Sequence, residues 1–171
     1  NNAIDHSVFY HDTSKQDEQN RDFTVMMIGS ENLEFKRISD IKDALSILTD
    51  LGYTYSLFWV SPDEPTVPLG SVFVNPEQKQ IGNLLRQSDV LVCASLYESF
   101  SLPVLEAMAC GCSVITTQNK GVVEYAVDGQ NCLLVEMNDP EDIAEKIIKL
   151  YENTRLRNQL VAEGLKTASR F

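Results

Sequence analysis

Ser88-Asp-Val-Leu-Val-Cys-Ala-Ser-Leu-Tyr-Glu-Ser-Phe-Ser-Leu-Pro-Val-Leu-Glu-Ala-Met-Ala-Cys-Gly-Cys-Ser-Val-Ile-Thr116 contains one complete structural unit. Val90–Ala94 is a continuous apolar run too short for a helix, as expected of a strand covered on both faces. The polar stretch 95–101 follows as a loop. A helix is predicted over 102–110, starting near Pro103, because proline has no N–H to lose in a first helical turn. Cys110-Gly-Cys112 then turns the chain into a second apolar run, Ser113–Thr116. Strand, loop, helix and strand in that order make a parallel βαβ unit.

The same alternation extends in both directions. Further strand-like runs occur at Thr24–Ile28, Tyr55–Val60, Ser71–Val74 and Cys132–Val135. Ile41, Leu45 and Leu48 repeat at helical spacing, and Gly52 stops that helix. Asn75-Pro-Glu-Gln78 reads as an N-cap, a first-turn proline and a capping Gln ahead of Ile81, Leu84 and Leu85. A short helix is expected over 121–127. Asp139-Pro-Glu-Asp142 opens another, with acids at its positive end and Ile143, Ile147, Leu150 and Tyr151 inward. A last one carries Leu156, Leu160, Leu165 and Ala168. The fold class is therefore α/β: a Rossmann-like, doubly wound parallel sheet of about six strands. Residues 24–171 form the domain, and 1–23 are read as an extended entry segment and polar loop. The abrupt ends suggest a piece of a longer protein.

A length of 171 residues suits one domain, and a formal charge of −11 excludes extended nucleic acid, whose phosphates such a surface repels. No apolar run reaches the roughly 20 residues of a membrane helix, and the first residues lack the basic and apolar parts of a signal peptide. The four cysteines, Cys93, Cys110, Cys112 and Cys132, lie in strands or a turn without a second pair or nearby His, so they read as small buried thiols in a reducing compartment, the cytoplasm. His6 and His11 fall in the polar entry segment and read as solvated.

In a doubly wound sheet, ligands bind where strands end in loops leading to helix N-termini. The loops concerned are 29–36, 61–69, 75–77, 95–101 and 117–121. The stretch 95–106 is the most informative. The unpaired N–H groups at the start of its helix suit a phosphate, with Glu98 and Glu106 on either side of it. A carboxylate can accept hydrogen bonds from a vicinal diol. On spacing alone, a solvated Glu98 and a helix-capping Glu106 explain the residues equally well.

Glu98-Ser-Phe-Ser-Leu-Pro-Val-Leu-Glu106-Ala-Met-Ala-Cys-Gly111 resembles the E-x7-E signature of the family-4, or group 1, retaining glycosyltransferases of the GT-B fold, approximately E-G-F-G-L-P-x-L-E-A-M-A-x-G-x-P-V. Upstream, Ser88-Asp-Val-Leu-Val92 is similar to the family's A-D-V-F-V strand. Downstream, Gly121-Val-Val-Glu124 resembles G-G-x-x-E, and Asp128-Gly129 with Leu133-Leu-Val135 resembles D-G-x-x-G-L-L-V. More faintly, Asn1-Asn-Ala-Ile-Asp5 is similar to the N-G-V-D that opens the family's C-terminal domain. The resemblance implies the donor-binding half of such an enzyme. Glu98 would lie by the transferred sugar as the catalytic residue, and Glu106 would hold the ribose. The amides of Phe100, Ser101 and Leu102 would meet sugar or diphosphate, with Ser99, Val74 and Asn75 completing the donor set. A clamp cation would come from Lys36 or Arg37. Ser30 stands where the family has its clamp Arg.

The implied partners are a nucleotide-sugar donor and a glycan or lipid-linked acceptor, the latter held by a missing N-terminal domain. No cofactor and no metal are implied. The implied location is cytoplasmic, peripheral at the inner membrane face in the full protein. The chain departs from the family pattern at Ser30, Ser99, Ser101, Ser113, Lys120 and Cys132. Those departures keep open a second reading, a glycosyltransferase-like structural or interaction module without activity. A dinucleotide-dependent α/β enzyme would need a Gly-rich turn after the first strand, and Gly29-Ser-Glu-Asn-Leu-Glu34 is not one.

Overall fold

A computed structural model describes residues 4–13 and 21–171. The first three residues of the Asn1–Asp5 resemblance and most of the predicted polar loop lie outside them. Six strands form one sheet in the order β3-β2-β1-β4-β5-β6, and every pair is parallel. They are β1 (Thr24–Ile28), β2 (Ser56–Ser61), β3 (Ser71–Val74), β4 (Val90–Cys93), β5 (Ser113–Thr117) and β6 (Leu133–Val135). Among the described residues, five α-helices cover the faces: α1 (Ile38–Asp50), α2 (Gln78–Gln87), α3 (Leu102–Ala109), α4 (Pro140–Glu152) and α5 (Thr154–Ala168).

Alternation along the strands divides the core between the two faces. Val25 and Met27 of β1, with Leu57, Trp59, Val90 and Val92, pack against Ile41, Leu45 and Leu48 of α1 and Ile143, Ile147 and Leu150 of α4. Met26, Val60, Leu91 and Val114 point to the other face and meet Leu84 and Leu85 of α2 and Val104, Leu105 and Met108 of α3. Apolar side chains on both faces explain why the strands read as unbroken apolar runs. Ile4 and Phe9 are buried on the second face. Arg86 Nη1 donates to the Val8 carbonyl at 3.0 Å, and the Ile4 N–H donates to the Phe171 carbonyl at 3.2 Å. The described part of the entry segment is thus packed on the domain. His6 is exposed, whereas His11 is half-buried and its ring lies against Gly111.

Two expected helix features are corrected. Asn75 is not an N-cap: its N–H donates to the Ser61 carbonyl at 2.7 Å, prolonging the strand ladder, and its φ is +46°. Asn tolerates that left-handed conformation, and α2 starts only after Glu77. The segment 121–127 is a series of turns. Its one i−4 backbone bond runs from Ala126 N to Val122 O. Side chains occupy groups a helix would need, since Asn119 Oδ1 accepts from Gly121 N and Asn131 Oδ1 accepts from Val127 N. Elsewhere the strand and helix limits move by a residue or so. Asp139 does cap α4, accepting from the Asp142 N–H at 2.9 Å.

The end of the sheet away from the candidate loops is held by Asp89. Its carboxylate accepts from Arg21 Nη1 and Nη2 at 2.8 and 2.9 Å and from the Thr24 N–H at 2.8 Å. Asp89 N–H returns a bond to the Thr24 carbonyl at 2.9 Å, so one residue fixes the start of β4 to the start of β1. Asp89→Ala should therefore cost about 1–3 kcal/mol, because it leaves the Thr24 amide without its acceptor, while the Arg21 guanidinium keeps the Gln87 carbonyl. Urea unfolding of the variant measures this; a loss within about 0.5 kcal/mol, as at ordinary surface sites, contradicts it.

Candidate functional site

Between β1 and β4 the crossovers leave in opposite directions, which opens a crevice at the carboxyl ends of these strands. After β1 the chain passes through a short 3-10 turn, Glu34–Lys36. After β4 it runs directly into Ala94–Ser101. The Leu96 N–H donates to the Phe35 carbonyl at 2.8 Å, which joins the two loops through their backbones. Two residues farther along the second loop, Glu98 Oε1 accepts from Lys36 Nζ at 2.6 Å. Their side chains are only 18% and 20% exposed.

Arg37 goes elsewhere. It adopts a left-handed conformation (φ +52°), and its guanidinium makes two bonds to Asp40, at 2.8 and 2.6 Å. Of the two candidate cations, Lys36 is the one brought into the crevice. Ser30 is buried, with its hydroxyl donating to Asp63 Oδ2 at 2.8 Å. Asn32 Nδ2 and Ser61 Oγ also donate to Asp63. These bonds, Ser30's first, hold the Asp63 carboxyl below its usual range. Asp63 was not singled out in the sequence, because an acid in a polar loop, here followed by Glu64, gives no signal of its own.

Glu98 is packed from below by Gly121. A Cβ on Gly121 would lie 2.6 Å from Glu98 Cβ and 3.0 Å from its carbonyl carbon, so only glycine fits there. Gly121 is itself fixed by Asn119: its N–H donates to Asn119 Oδ1 at 2.9 Å, while Asn119 Nδ2 reaches the Ser95 carbonyl at 3.2 Å. The Ser101 N–H donates to the Gly121 carbonyl at 3.1 Å, and the Leu102 N–H to the Phe100 carbonyl at 2.7 Å. Among the described residues, that leaves the Phe100 N–H without a protein acceptor. The Phe100 ring turns away from the crevice, toward Tyr125 and Phe171 at 5.9 and 5.8 Å between centroids. Ser99 is exposed; Ser101 is buried, and its Oγ has no hydrogen-bond partner among the described residues. Val74 and Asn75 lie at the end of β3, separated from β1 by β2, and are not hydrogen-bonded to the Lys36–Glu98 pair.

The profile of the family described as glycosyl transferases group 1 matches residues 70–167, more than half the chain. The chain belongs to the group 1 glycosyltransferases. A glycosyltransferase of uncharacterised specificity from Methanocaldococcus jannaschii is 37% identical over 92 residues, 54% of this chain and 26% of that protein. The putative glycosyltransferase EpsD of Bacillus subtilis is 38% identical over 91 residues, 53% of this chain and 24% of that protein. The chain thus spans about a quarter of the length of these curated relatives. The C-terminal domain of a group 1 glycosyl transferase (LpcC) from Francisella tularensis superimposes with a TM-score of 0.80 at 22% identity, covering 98% of this chain and 97% of that one. Anabaena HepE in complex with UDP-glucose gives 0.82 at 19% identity, covering 99% of this chain and 51% of that one. The fold is therefore shared from β1 onward, including the strands before residue 70.

Within this glycosyltransferase fold, Glu106 stands in the second turn of α3. It is half-buried, and its carboxylate has no hydrogen bond or ion pair to a described residue. Burial alone pushes its carboxyl up to about 7. Among the described residues there is no group of three or more His, Cys, Asp or Glu side chains able to hold a metal. The four cysteines are free.

Because the folded state holds the Glu106 proton more tightly than the unfolded chain does, stability falls as pH rises from about 4.5 to about 7. Replacing Glu106 with Gln removes that loss. The stability advantage of Glu106→Gln over the wild type should grow between pH 5.5 and pH 8, measured by urea unfolding. An offset that does not change with pH contradicts the unpaired, buried carboxyl.

Proposed function

We propose that this chain is the donor-binding half of a glycosyltransferase that moves a sugar from a nucleoside diphosphate to an acceptor hydroxyl with retention of anomeric configuration. The observation that carries the proposal is the Lys36–Glu98 pair in the β1/β4 crevice, beside the start of α3. A cation and a helix N-terminus in one crevice suit a diphosphate, and an adjacent carboxylate suits sugar hydroxyls.

In this reading the Lys36 ammonium leaves Glu98 for the diphosphate, and the Phe100 N–H adds a donor. As the bond from the anomeric carbon to the diphosphate breaks, negative charge grows on the leaving oxygen, and both groups stabilise it. The acceptor oxygen forms its bond to the same face of the anomeric carbon, and its proton passes to the departing diphosphate. Glu98, freed from Lys36, orients the transferred sugar. Glu106 accepts the ribose diol, which gives a use to a carboxyl that otherwise only costs stability. No cofactor or metal is assigned to the reaction. Residues 24–171 are assigned to this half. A companion N-terminal domain holds a glycan or lipid-linked acceptor, so the isolated half binds donor but turns over little. The full protein is assigned to the cytoplasm, at the inner membrane face where its acceptor is lipid-linked.

The known relatives support glycosyl transfer, and the fold shared with HepE, whose structure contains UDP-glucose, supports a nucleotide-sugar ligand. One observation favours the second reading, a module without activity: Ser30 replaces the family's clamp arginine and is tied to Asp63. Calorimetry of the chain with UDP, GDP and ADP separates the two. At least one nucleotide should bind, and Lys36→Met and Glu106→Ala should each weaken it at least about tenfold, roughly 1.4 kcal/mol. If none of the three binds, the module reading takes its place.

A further inference from the structure

A nucleoside diphosphate carries negative charge on each phosphate, yet the β1/β4 crevice is short of positive charge. Lys36 is matched there by Glu98, while Asp63 and Glu106 stand on the bordering loop and helix. The chain as a whole carries a net −11. Among the described residues, the other cations near the carboxyl ends of the strands are mostly spent. Arg37 is bonded to Asp40, Lys42 to Glu31 and Lys146 to Asp142. Lys79 lies in the first turn of α2, beyond β3, with β2 and β1 between it and β4. Lys120, in the loop after β5, is left. It is exposed, and its ammonium has no hydrogen bond, ion pair or ring contact to a described residue.

An exposed lysine is ordinarily a solvated surface charge. Lys120 differs in being mounted on a fixed turn, between buried Asn119 and buried Gly121. Both neighbours are tied to the β4 loop: Asn119 Nδ2 and Thr117 Oγ1 donate to the Ser95 carbonyl, and the Gly121 carbonyl accepts from the Ser101 N–H. A Cβ on Gly121 would stand 2.6 Å from Glu98 Cβ. The Cα of Lys120 is therefore within about 8 Å of Glu98 Cβ, and a lysine stem spans about 6 Å. Ser101, to which this turn is bonded, is the N-cap of α3. It makes no side-chain cap bond, and its buried hydroxyl has no partner among the described residues. The Lys120 ammonium can thus reach both the uncapped start of α3 and the flank of Glu98. Lys36 comes to Glu98 from the β1 loop, which is tied to the β4 loop by the Leu96–Phe35 backbone bond and by the Phe35–Tyr97 stack, with centroids 4.8 Å apart. The two lysines follow β1 and β5, the strands on either side of β4.

We propose that Lys120 is a second diphosphate-binding cation of this chain, paired with Lys36 about the start of α3 and serving the β-phosphate. The β-phosphate carries the transferred sugar, which the donor-site reading puts beside Glu98, so the proposal rests on that reading and deepens it. Lys120 gives the crevice a cation that no carboxylate holds, available while Lys36 is still bonded to Glu98.

Calorimetry of the chain with UDP, GDP and ADP, and with UMP, GMP and AMP, tests this. For a nucleotide that binds, Lys120→Met should weaken the diphosphate at least about fivefold and leave the monophosphate nearly unchanged. Lys120→Arg, which keeps the charge, should restore most of the loss. The loss should also shrink in molar salt, as expected of a solvent-exposed charge. A smaller effect of Lys120→Met on the diphosphate overturns the proposal, and a loss on Lys36→Met in the same series keeps the donor reading without it. Equal weakening of mono- and diphosphate, or no recovery with Lys120→Arg, also overturns it, because a disturbed turn and not a phosphate contact then accounts for the loss. If the wild-type chain binds none of the three diphosphates, the donor reading fails and Lys120 falls with it.

Discussion

Parallel pairing of β1 with β4, with Val25 opposite Val90, Met26 opposite Leu91 and Met27 opposite Val92, puts two loops side by side that are distant in sequence. Asp89 locks the start of this pair, so the register cannot slip at the base. Lys36 and Glu98 close it at the other end. Ion pairs this far removed from water gain little net stability, since desolvation offsets most of their attraction. What the pair supplies is position. The Leu96–Phe35 backbone bond and the bare Cα of Gly121 leave Glu98 little freedom, and the 3-10 turn directs Lys36 toward it. The crevice is thus a consequence of sheet topology, refined by a glycine that tolerates no Cβ.

The two acids of the signature have opposite electrostatic surroundings. Glu98 is neutralised by a lysine from another loop. Glu106 sits half-buried with no partner, and it costs stability at neutral pH. A group kept at such a cost is characteristic of a site waiting for a ligand, because unpaired buried charge is otherwise selected against. Ser101 fits the same pattern on a smaller scale, with a buried hydroxyl that finds no acceptor.

Much of the sheet was legible in the sequence because burial on both faces writes strands as unbroken apolar runs, and Asp139-Pro140 marked a helix start by capping chemistry alone. The failures have a common cause. Asn75 and the 121–127 segment carry the residues of a cap and a short helix, but other partners took their hydrogen-bonding groups: the carbonyl of the distant Ser61 for one, and the neighbouring side chains of Asn119 and Asn131 for the other. At the site, Glu98 and Glu106 were visible through a linear motif. The choice between Lys36 and Arg37 was not, since it turns on a single left-handed residue and on Asp40 capturing the guanidinium. The Phe35–Tyr97 stack and the Ser30–Asp63 bond join residues 62 and 33 positions apart, which no local pattern reveals.

In the proposed donor site, Lys36 is held by Glu98 until a diphosphate takes it. Calorimetry of Glu98→Gln with the same nucleoside diphosphates tests this most directly. Removing the competing carboxylate should free the ammonium and tighten nucleotide binding several-fold, with the gain abolished in the Lys36→Met background. Unchanged or weaker binding in Glu98→Gln contradicts the account.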